Sequence, residues 1–303
     1  MLCAAIDIGS NTTRVLVAEP VEGQLRRVMD QRAYTRLGKA SRHNGAIDDD
    51  KVAEVADVVA TQVRLAQELG AESIRIVATA AIREATNCQE VAEEIAAACG
   101  VPVEVLSEEE EGRLAFIGAM RTLGAPVEGE VAVVDVGGGS TEIVLGTLST
   151  GVRVVRSFRI GSGSLADDFL RSDPPSAAEI RALREHIADF FEGVEIEQPE
   201  QAVAVGGSAT SLRGLVGGAL EYETLERAVR VLTSDPIADV SKRFELDPRR
   251  VALLPAGVLL LEKLSDLLGC ALQVGKGGLR DGVILDVLNG ALSSELADSG
   301  ELA

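Results

Sequence analysis

DIGSNTTRVLV at residues 7–17 and DVGGGSTEIVL at residues 135–145 align with each other without a gap. The alignment places Asp7 on Asp135 and a run of small residues on a second run of small residues. Each segment follows one apolar run and leads into another, which predicts a strand, a tight turn and a second strand. The sequence therefore contains two predicted β-hairpins, each with an aspartate near the tip of its first strand.

The residues that follow each hairpin have the spacing of alternating helices and strands. We predict helices over residues 48–70, 87–99, 176–191, 249–268 and 279–288, and strands at SIRIVAT, VPVEVL, VRVVRSFRI and QAVAV. This order predicts an α/β fold of two repeated lobes. TLGAPVEG at residues 122–129 marks the boundary, so residues 1–124 are assigned to one lobe and residues 125–303 to the other. A closing helix near residues 279–291 belongs to the second lobe or packs back on the first.

Composition narrows the class of protein. The chain has 303 residues, enough for two domains, and only 3% aromatic residues, so the cores are expected to consist of Ala, Val, Leu and Ile. Its four cysteines form no CxxC pair and its two histidines are far apart, which argues against a zinc site or a disulfide framework. No cationic residue precedes Asp7, and no uncharged run is long enough to span a bilayer, so we expect a cytoplasmic protein.

The net charge of −19 opposes general attraction to anionic polymers and anionic lipids, so neither DNA, RNA nor a membrane is an expected partner. One cationic segment, residues 24–45, breaks this trend. Asp30 is its single acid, and its cations are Arg26, Arg27, Arg32, Arg36, Lys39 and Arg42. The segment is either a solvated loop and strand face or a gate for an anionic substrate.

The hairpin turns and a later glycine-rich segment suggest phosphate binding. Small residues let backbone N–H groups approach phosphate oxygens, and an adjacent aspartate can hold a metal ion or position water. The strand QAVAV runs into GGSATSLRGL at residues 206–215, where a helix begins with free N–H groups and hydroxyls. The alternative is that glycine, serine and asparagine are present only because they form turns and helix caps.

The acidic stretch SEEEEGRL at residues 107–114 offers one candidate base. Ser107 and Glu110 fit a capping box, and acids in a first turn suit the helix dipole, so residues 108–110 need no further role. Glu111 lies past the capping positions. It is either a carboxylate that activates water or a fourth solvated acid.

Two more carboxylates lie on the second hairpin. Asp135 and Glu142 are seven residues apart, a spacing that can bring both side chains to one point. Mg²⁺ takes one or two carboxylates and fills its other positions with water and phosphate oxygens. Glu142 is alternatively an exposed strand acid.

Three cations lie near strand ends or turns: Arg83, Lys276 and Arg280. Each of them either forms an ion pair at the surface or contacts a phosphate group.

Together these segments resemble the exopolyphosphatase/guanosine pentaphosphate phosphatase (Ppx/GppA) family, in its short two-domain form. The resemblance covers essentially the whole chain in order: DIGSNTTRVLVA, YTRLGKA, VATAAIREATN, SEEEEGRL, VVDVGGGSTEIVLG, RIGSGSL, VGGSATSL, LLPAGVLLL and GGLRDGV. It implies two ribonuclease-H-like lobes of the actin, Hsp70 and sugar-kinase superfamily, with a cleft between them.

The resemblance also implies roles for particular residues. Glu111 corresponds to the catalytic carboxylate that activates water, and Asp135 and Glu142 correspond to the acids that hold Mg²⁺ or Mn²⁺. The residues that would line the substrate or contact its phosphates are Asp7, Ser10, Asn11, Arg83, Gly137, Gly138, Gly139, Ser140, Gly207, Ser208 and Thr210.

The implied activity is release of a terminal phosphate from short inorganic polyphosphate or guanosine pentaphosphate, by a homodimer. Two alternatives remain open at this point, since one fold serves many functions. One is an ATP-hydrolysing or phosphotransfer enzyme, although no separate adenine-binding signature is evident. The other is a non-catalytic sensor of guanosine tetraphosphate, against which Glu111 in its motif argues.

Overall fold

The computed structural model of the protein describes the backbone of residues 1–40, 45–123, 127 and 129–300, and their side chains except at residues 40 and 292–300. The chain divides into two compact units, Met1–Gly124 with Gly277–Ala303, and Ala125–Lys276. In the predicted boundary segment, residues 124–126 and 128 lie outside the described ranges. The predicted cleft concerns the placement of one unit against the other, and it stays a prediction.

The first unit is built on a five-stranded sheet of order β3-β2-β1-β4-β5. The β1–β2 and β2–β3 pairs are antiparallel, and the β1–β4 and β4–β5 pairs are parallel. The strands are β1 (Cys3–Ile8), β2 (Thr13–Val21), β3 (Gln24–Ala33), β4 (Ser73–Ala78) and β5 (Val103–Val105). The helices are α1 (Leu37–Ala40), α2 (Asp49–Glu68), α3 (Ala80–Arg83), α4 (Cys88–Cys99), α5 (Glu108–Thr122) and, from the end of the chain, α13 (Leu279–Gly300).

The second unit is built on a six-stranded sheet of order β10-β11-β9-β6-β7-β8. Its strands are β6 (Val131–Val136), β7 (Thr141–Thr147), β8 (Gly151–Phe158), β9 (Gln201–Val205), β10 (Ala219–Leu220) and β11 (Leu272–Val274). Its helices are α6 (Ser162–Phe169), α7 (Ala177–Phe190), α8 (Gly206–Val216), α9 (Tyr222–Ser234), α10 (Ile237–Phe244), α11 (Pro248–Val251) and α12 (Leu254–Leu268).

The two sheets share one topology. In the second unit, β6–β7 and β7–β8 are antiparallel while β6–β9 and β9–β11 are parallel, so the order β8-β7-β6-β9-β11 repeats that of the first sheet. This is the ribonuclease-H-like arrangement expected from the internal repeat. The predicted α/β fold class is therefore confirmed.

The repeat extends to single hydrogen bonds in the hairpin turns. The Gly9 N–H donates to the Thr12 carbonyl at 3.1 Å, and the Gly137 N–H donates to the Ser140 carbonyl at 3.0 Å. These bonds close two equivalent turns.

Two aligned threonines, Thr13 and Thr141, are also used alike. The Thr13 hydroxyl lies 3.0 Å from the Thr35 hydroxyl, and the Thr141 hydroxyl donates to the Ile160 carbonyl at 2.6 Å. Both threonines are fully buried. The two hydroxyls therefore anchor the segment that follows the third strand of each sheet.

The helices follow the predicted pattern with two differences. The helix expected over residues 249–268 is divided into α11 and α12, with Ala252 and Leu253 between them. The closing helix α13 begins at Leu279 as predicted, continues past the predicted end and lies in the first unit. Within the described residues, no helix is both long and apolar enough to cross a membrane.

Helices α5 and α13 pack in close contact through glycine. A Cβ atom at Gly282 would clash with the carbonyl of Leu114 on α5, lying 2.6 Å from its carbon. At Gly118 on α5, a Cβ atom would lie 2.7 Å from the backbone nitrogen of Gly282. Since both obstacles are backbone atoms, no side-chain rotation can relieve a substitution here. This contact positions α5, the helix that carries Glu111.

Gly282→Ala is expected to lower the free energy of unfolding by about 1–3 kcal/mol, the usual effect of overpacking, despite the higher helix propensity of alanine. Gly290→Ala, also on α13, is the control, because no described atom lies within 4 Å of the position its Cβ would take. We expect the control to be neutral or more stable by up to about 1 kcal/mol. Urea unfolding midpoints test this pair, and equal midpoints would contradict the packing argument.

Candidate functional site

In the first unit, the candidate residues lie where parallel strands end. The Thr79 N–H donates to the Ile8 carbonyl at 3.2 Å, and the Leu106 N–H donates to the Ala78 carbonyl at 3.0 Å. These bonds align the carboxyl ends of β1, β4 and β5 at one edge of the sheet. The segments that carry Asp7, Arg83 and Glu111 therefore meet at this edge.

Glu111, which is buried, forms an ion pair with the half-buried Arg83. Arg83 Nη1 donates to Glu111 Oε2 at 2.7 Å and to the Leu106 carbonyl at 2.9 Å. Glu111 is only 8% exposed. The alternative of a solvated acid therefore does not describe Glu111, and of the two partners expected for Arg83, the structure shows the carboxylate. A guanidinium partner favours the ionised carboxylate, which is the form that a general base needs.

The neighbouring acids serve the helix start. Ser107 Oγ accepts a hydrogen bond from the Glu110 N–H at 3.2 Å, as the predicted cap requires. The reciprocal half of the capping box is not formed, because the Glu110 carboxylate instead binds Arg113 through two bonds of 2.7 and 2.8 Å. Glu109 is exposed. Glu111 is thus the buried acid of this run.

Asp7 lies directly opposite Arg14 in the β1–β2 pair. Burial raises the pKa of the Asp7 carboxyl, and the charges of Arg280 and Arg14 only partly offset this effect. Burial and the charge of Arg280 lower the pKa of Arg14 to about 9. Asp7 Oδ1 is buried and makes no hydrogen bond with any described residue. The first hairpin thus pairs one acidic side chain, Asp7, with one basic side chain, Arg14.

Arg280 does not form an ion pair at the surface. It is 6% exposed, and its Nη1 donates to Asp30 Oδ1 at 2.8 Å and to the Val15 carbonyl at 3.1 Å. Burial opposes ionisation of Asp30, but the hydrogen bond from Arg280 and the charges of Arg280, Arg14 and Arg27 outweigh it and lower the pKa of that carboxyl. Arg280 is therefore an internal link between α13 and the β2–β3 hairpin.

Ion pairs engage part of the cationic segment. Arg26 binds Glu19, and Arg27 binds Asp30 and Asp281 at 2.9 and 2.8 Å. Arg42 lies outside the described residues. The strand part of the segment thus fits the solvated ion-paired face better than a gate.

The turn of the first hairpin is fixed by the loop that follows β3. The Arg36 N–H donates to the Asn11 carbonyl at 3.0 Å, and the Gly38 N–H donates to the Ser10 carbonyl at 2.8 Å. Ser10 and Asn11 are half-buried. The conformation of this turn is therefore set by long-range contacts as well as by its own residues.

In the second unit, Asp135 and Glu142 are direct cross-strand partners of β6 and β7. Paired side chains of this kind have Cβ atoms about 4.5–5.5 Å apart on one face of the sheet. Ser157 of β8, the partner of Glu142 on the other side, donates its hydroxyl to Glu142 Oε1 at 3.3 Å. Glu142 is 4% exposed, so the alternative of an exposed strand acid is wrong.

The turn at residues 137–140 is held by the start of α6. Ser162 donates both its N–H and its hydroxyl to the Gly137 carbonyl at 2.9 and 3.0 Å, and the Gly163 N–H donates to the Gly138 carbonyl at 2.9 Å. A Cβ atom at Gly161 would lie 2.6 Å from the carbonyl carbon of Gly138. The turn thus packs through glycine on glycine. Ser140 is 6% exposed, and the contacts predicted for Gly137, Gly138, Gly139 and Ser140 with phosphate stay predictions.

The first turn of α8 follows β9 directly. Gly206 has a left-handed φ of +80°. The carboxylate of Asp135 lies against it, so that a Cβ atom at Gly206 would be 3.2 Å from Cγ of Asp135. The Thr210 hydroxyl donates to the Gly206 carbonyl at 2.8 Å. The Ser208 hydroxyl is buried and faces Gly257 of α12. A Cβ atom at Gly257 would lie 2.6 Å from Ser208 Oγ. Ser208 Oγ makes no hydrogen bond with any described residue. Phosphate contacts by Gly207, Ser208 and Thr210 stay predictions.

Sequence reasoning missed three residues at this site: Gly206, Ser157 and Arg250. Gly206 is required by the Asp135 carboxylate, and Ser157 binds Glu142. Arg250 is 6% exposed and packs on Gly207. An unusual glycine before a helix gave a weak signal for Gly206, whereas Ser157 and Arg250 had none, because their partners are distant in sequence.

The residues of the second hairpin fit a divalent cation better than those of the first. Asp135 faces Glu142, whereas the aligned Asp7 faces Arg14. Like charges placed opposite each other repel, and a cation between them offsets the repulsion. Within the described residues, no group of three or more His, Cys, Asp or Glu side chains could hold a metal ion. Mg²⁺ does not need such a cage, because water and phosphate oxygens complete its octahedron.

The sequence pattern of the Ppx/GppA phosphatase family matches residues 16–291 of this chain. The chain belongs to the Ppx/GppA phosphatase family. The Ppx/GppA resemblance read from the motifs is therefore confirmed.

Several Ppx/GppA relatives are similar over most of this chain. The crystal structure of the Aquifex aeolicus family member has a TM-score of 0.79 and 32% identity, covering 96% of this chain and 98% of its own. Exopolyphosphatase 2 of Mycobacterium tuberculosis (strain ATCC 25618 / H37Rv) is 29% identical over 289 residues, 86% of this chain and 89% of that protein. The guanosine-5'-triphosphate,3'-diphosphate pyrophosphatase of Vibrio vulnificus (strain YJ016) is 26% identical over 298 residues, 95% of this chain. This chain spans 59% of the length of that Vibrio protein.

Proposed function

We propose that this protein is a phosphohydrolase that releases the terminal phosphate of a phosphoanhydride, with short inorganic polyphosphate or guanosine pentaphosphate as substrate. The observation that carries the proposal is the ion pair of the buried Glu111 with Arg83, whose charged atoms are 2.7 Å apart, in a member of the Ppx/GppA family. A carboxylate held by a guanidinium at the end of parallel strands is suited to orient water and take its proton. The relatives named above are an exopolyphosphatase and a guanosine polyphosphate pyrophosphatase, which supports both substrate classes.

In this proposal Glu111 is the general base, and Arg83 holds its carboxylate in place. The backbone N–H groups of the two hairpin turns and of the first turn of α8 would bind phosphate oxygens. Asp135 and Glu142 would hold Mg²⁺ or Mn²⁺. Such an ion supplies charge neutralisation to the phosphate oxygens when bound. The homodimer and the cytoplasmic location stay predictions.

The test of this function is phosphate release from a panel of short polyphosphate, guanosine pentaphosphate and ATP, with and without Mg²⁺. We expect inorganic phosphate from the first two. Release of ADP from ATP as the preferred reaction would favour the phosphotransfer alternative. Ligand binding without any phosphate release would favour the sensor alternative.

Chain length of the polymer gives a separate prediction. We expect turnover per site to reach a plateau with short polyphosphate, because the net charge is −19 and Arg26 and Arg27 are already ion-paired. A long polyanion is repelled by most of an acidic surface. Rates measured with polymers of graded length test this. A steady rise into the range of hundreds of phosphates would contradict it and would require an extended cationic track.

A further inference from the structure

Arg36 has an unusual backbone conformation in the loop part of the cationic segment. It lies between the end of β3 and the start of α1, and its φ is +50°. This left-handed conformation is unfavourable for a residue with a Cβ atom, whereas glycine adopts it freely. Arg36 is exposed, and its guanidinium makes no ion pair within the part of the chain that the structure describes.

Two other residues with a side chain share this conformation, each for a local reason. Glu22, with φ of +51°, forms with Gly23 the two-residue turn between β2 and β3, a type of turn that requires positive φ at both positions. Glu245, with φ of +54°, ends α10 and donates its N–H to the Ser241 carbonyl. Arg36 belongs to neither kind of turn.

Contacts with the first hairpin turn hold Arg36 in this conformation. The Arg36 N–H donates to the Asn11 carbonyl at 3.0 Å, and the Gly38 N–H donates to the Ser10 carbonyl at 2.8 Å. A Cβ atom at Gly38 would lie only 3.1 Å from Cβ of Ser10, so the loop packs directly on the turn. Backbone strain that surrounding contacts enforce is typical of functional sites. The loop thus fixes an exposed cation beside the turn.

The turn that holds Arg36 is displaced from the proposed base along the edge of the sheet. Arg83 and Glu111 follow β4 and β5, whereas the turn joins β1 to β2, in a sheet of order β3-β2-β1-β4-β5. Neighbouring strands are about 4.8 Å apart, so the turn lies one to two strand spacings, roughly 5–10 Å, from β4. A substrate with several linked phosphate groups can span this separation, whereas orthophosphate cannot.

We infer that Arg36 is a specificity-determining residue, which binds a phosphate group of the substrate other than the one that is removed. A glycine at this position would relieve the backbone strain but would supply no charge. Polyphosphate and guanosine pentaphosphate both offer such a second group, since each carries linked phosphates. This inference rests on the proposed function, because it concerns the substrate of the same site.

The experiment compares Arg36→Gly and Arg36→Lys with the matched control Glu245→Gly. Both glycine variants should have a higher urea midpoint than the parent protein, because each relieves a left-handed φ. We expect Arg36→Gly to raise the KM for tripolyphosphate about 10-fold, the effect of losing one hydrogen bond to a charged group, with little change in kcat. Arg36→Lys should recover part of the affinity, and the KM of the control should match that of the parent.

Inhibition by orthophosphate shows whether the effect belongs to a second phosphate group. Its inhibition constant should be the same for Arg36→Gly and the parent, since orthophosphate occupies only the position of the terminal phosphate. Measuring KM with guanosine pentaphosphate as well as tripolyphosphate shows which substrate Arg36 selects, and a rise with either one supports the inference.

Two results would overturn the inference. One is a folded Arg36→Gly variant whose KM is unchanged for both substrates, and the other is an equal weakening of orthophosphate inhibition. If Arg36→Gly does not fold, Arg36→Gln removes the charge and is judged by the same measurements. Calorimetric binding of tripolyphosphate needs no turnover, so it tests Arg36 even if the parent releases no phosphate, a result that would count against the proposed function.

Discussion

Glu111→Gln is expected to lower turnover by roughly 10²- to 10⁴-fold, the usual contribution of a general base. Water attacks a phosphoanhydride in line, and much of the rate comes from positioning and charge stabilisation, but one carboxylate is still needed to orient the water and take its proton. Glutamine keeps the shape of the side chain and its acceptor oxygen for Arg83. The substitution therefore removes basicity with little change in binding, so KM should stay nearly constant.

Glu109→Gln is the matched control, since Glu109 lies on the same helix turn but is exposed. It is expected to be nearly silent. Steady-state kinetics of both variants decide the assignment. Equal small effects would show that the Glu111–Arg83 pair is structural, and they would leave the proposed hydrolase without its base.

Chelation of divalent metal is expected to abolish turnover, and Mg²⁺ should restore it. The physical reason is the charge of the reaction: several phosphate oxygens must be neutralised, while the second hairpin contributes two carboxylates of its own. Mn²⁺ should also restore activity, since it accepts the same oxygen ligands. Phosphate release after exhaustive treatment with EDTA, followed by titration of each metal, measures the effect.

Asp135→Asn and Asp7→Asn separate the two hairpins. The first variant leaves only Glu142 as a carboxylate on the second hairpin, so it should need a higher Mg²⁺ concentration for half-maximal activity. The second variant changes an acid that faces Arg14, and its requirement for Mg²⁺ should match the parent protein. Full activity without metal would show that Asp135 and Glu142 serve another purpose.

The repeated hairpins could be predicted because their determinants are local. Turn residues, alternating apolar residues and an aspartate at a fixed offset lie within eleven residues of each other, so Asp7 and Asp135 were placed correctly on equivalent strands. The repeat also predicted two similar lobes, and the two sheets share one strand order. The helix breaks were harder to predict, because the apolar pattern of residues 249–268 continues across the gap between α11 and α12.

Local patterns of residues were enough to predict the fold class, the two hairpins, the helix start at Ser107 and the family. Tertiary structure alone decided which charged residues are buried and with which partners. The contact of Glu111 with Arg83, 28 residues away, and that of Arg280 with Asp30, 250 residues away, were revealed only by the structure. The physical reason is that burial and charge pairing depend on contacts between distant segments, which a local pattern of residues does not encode.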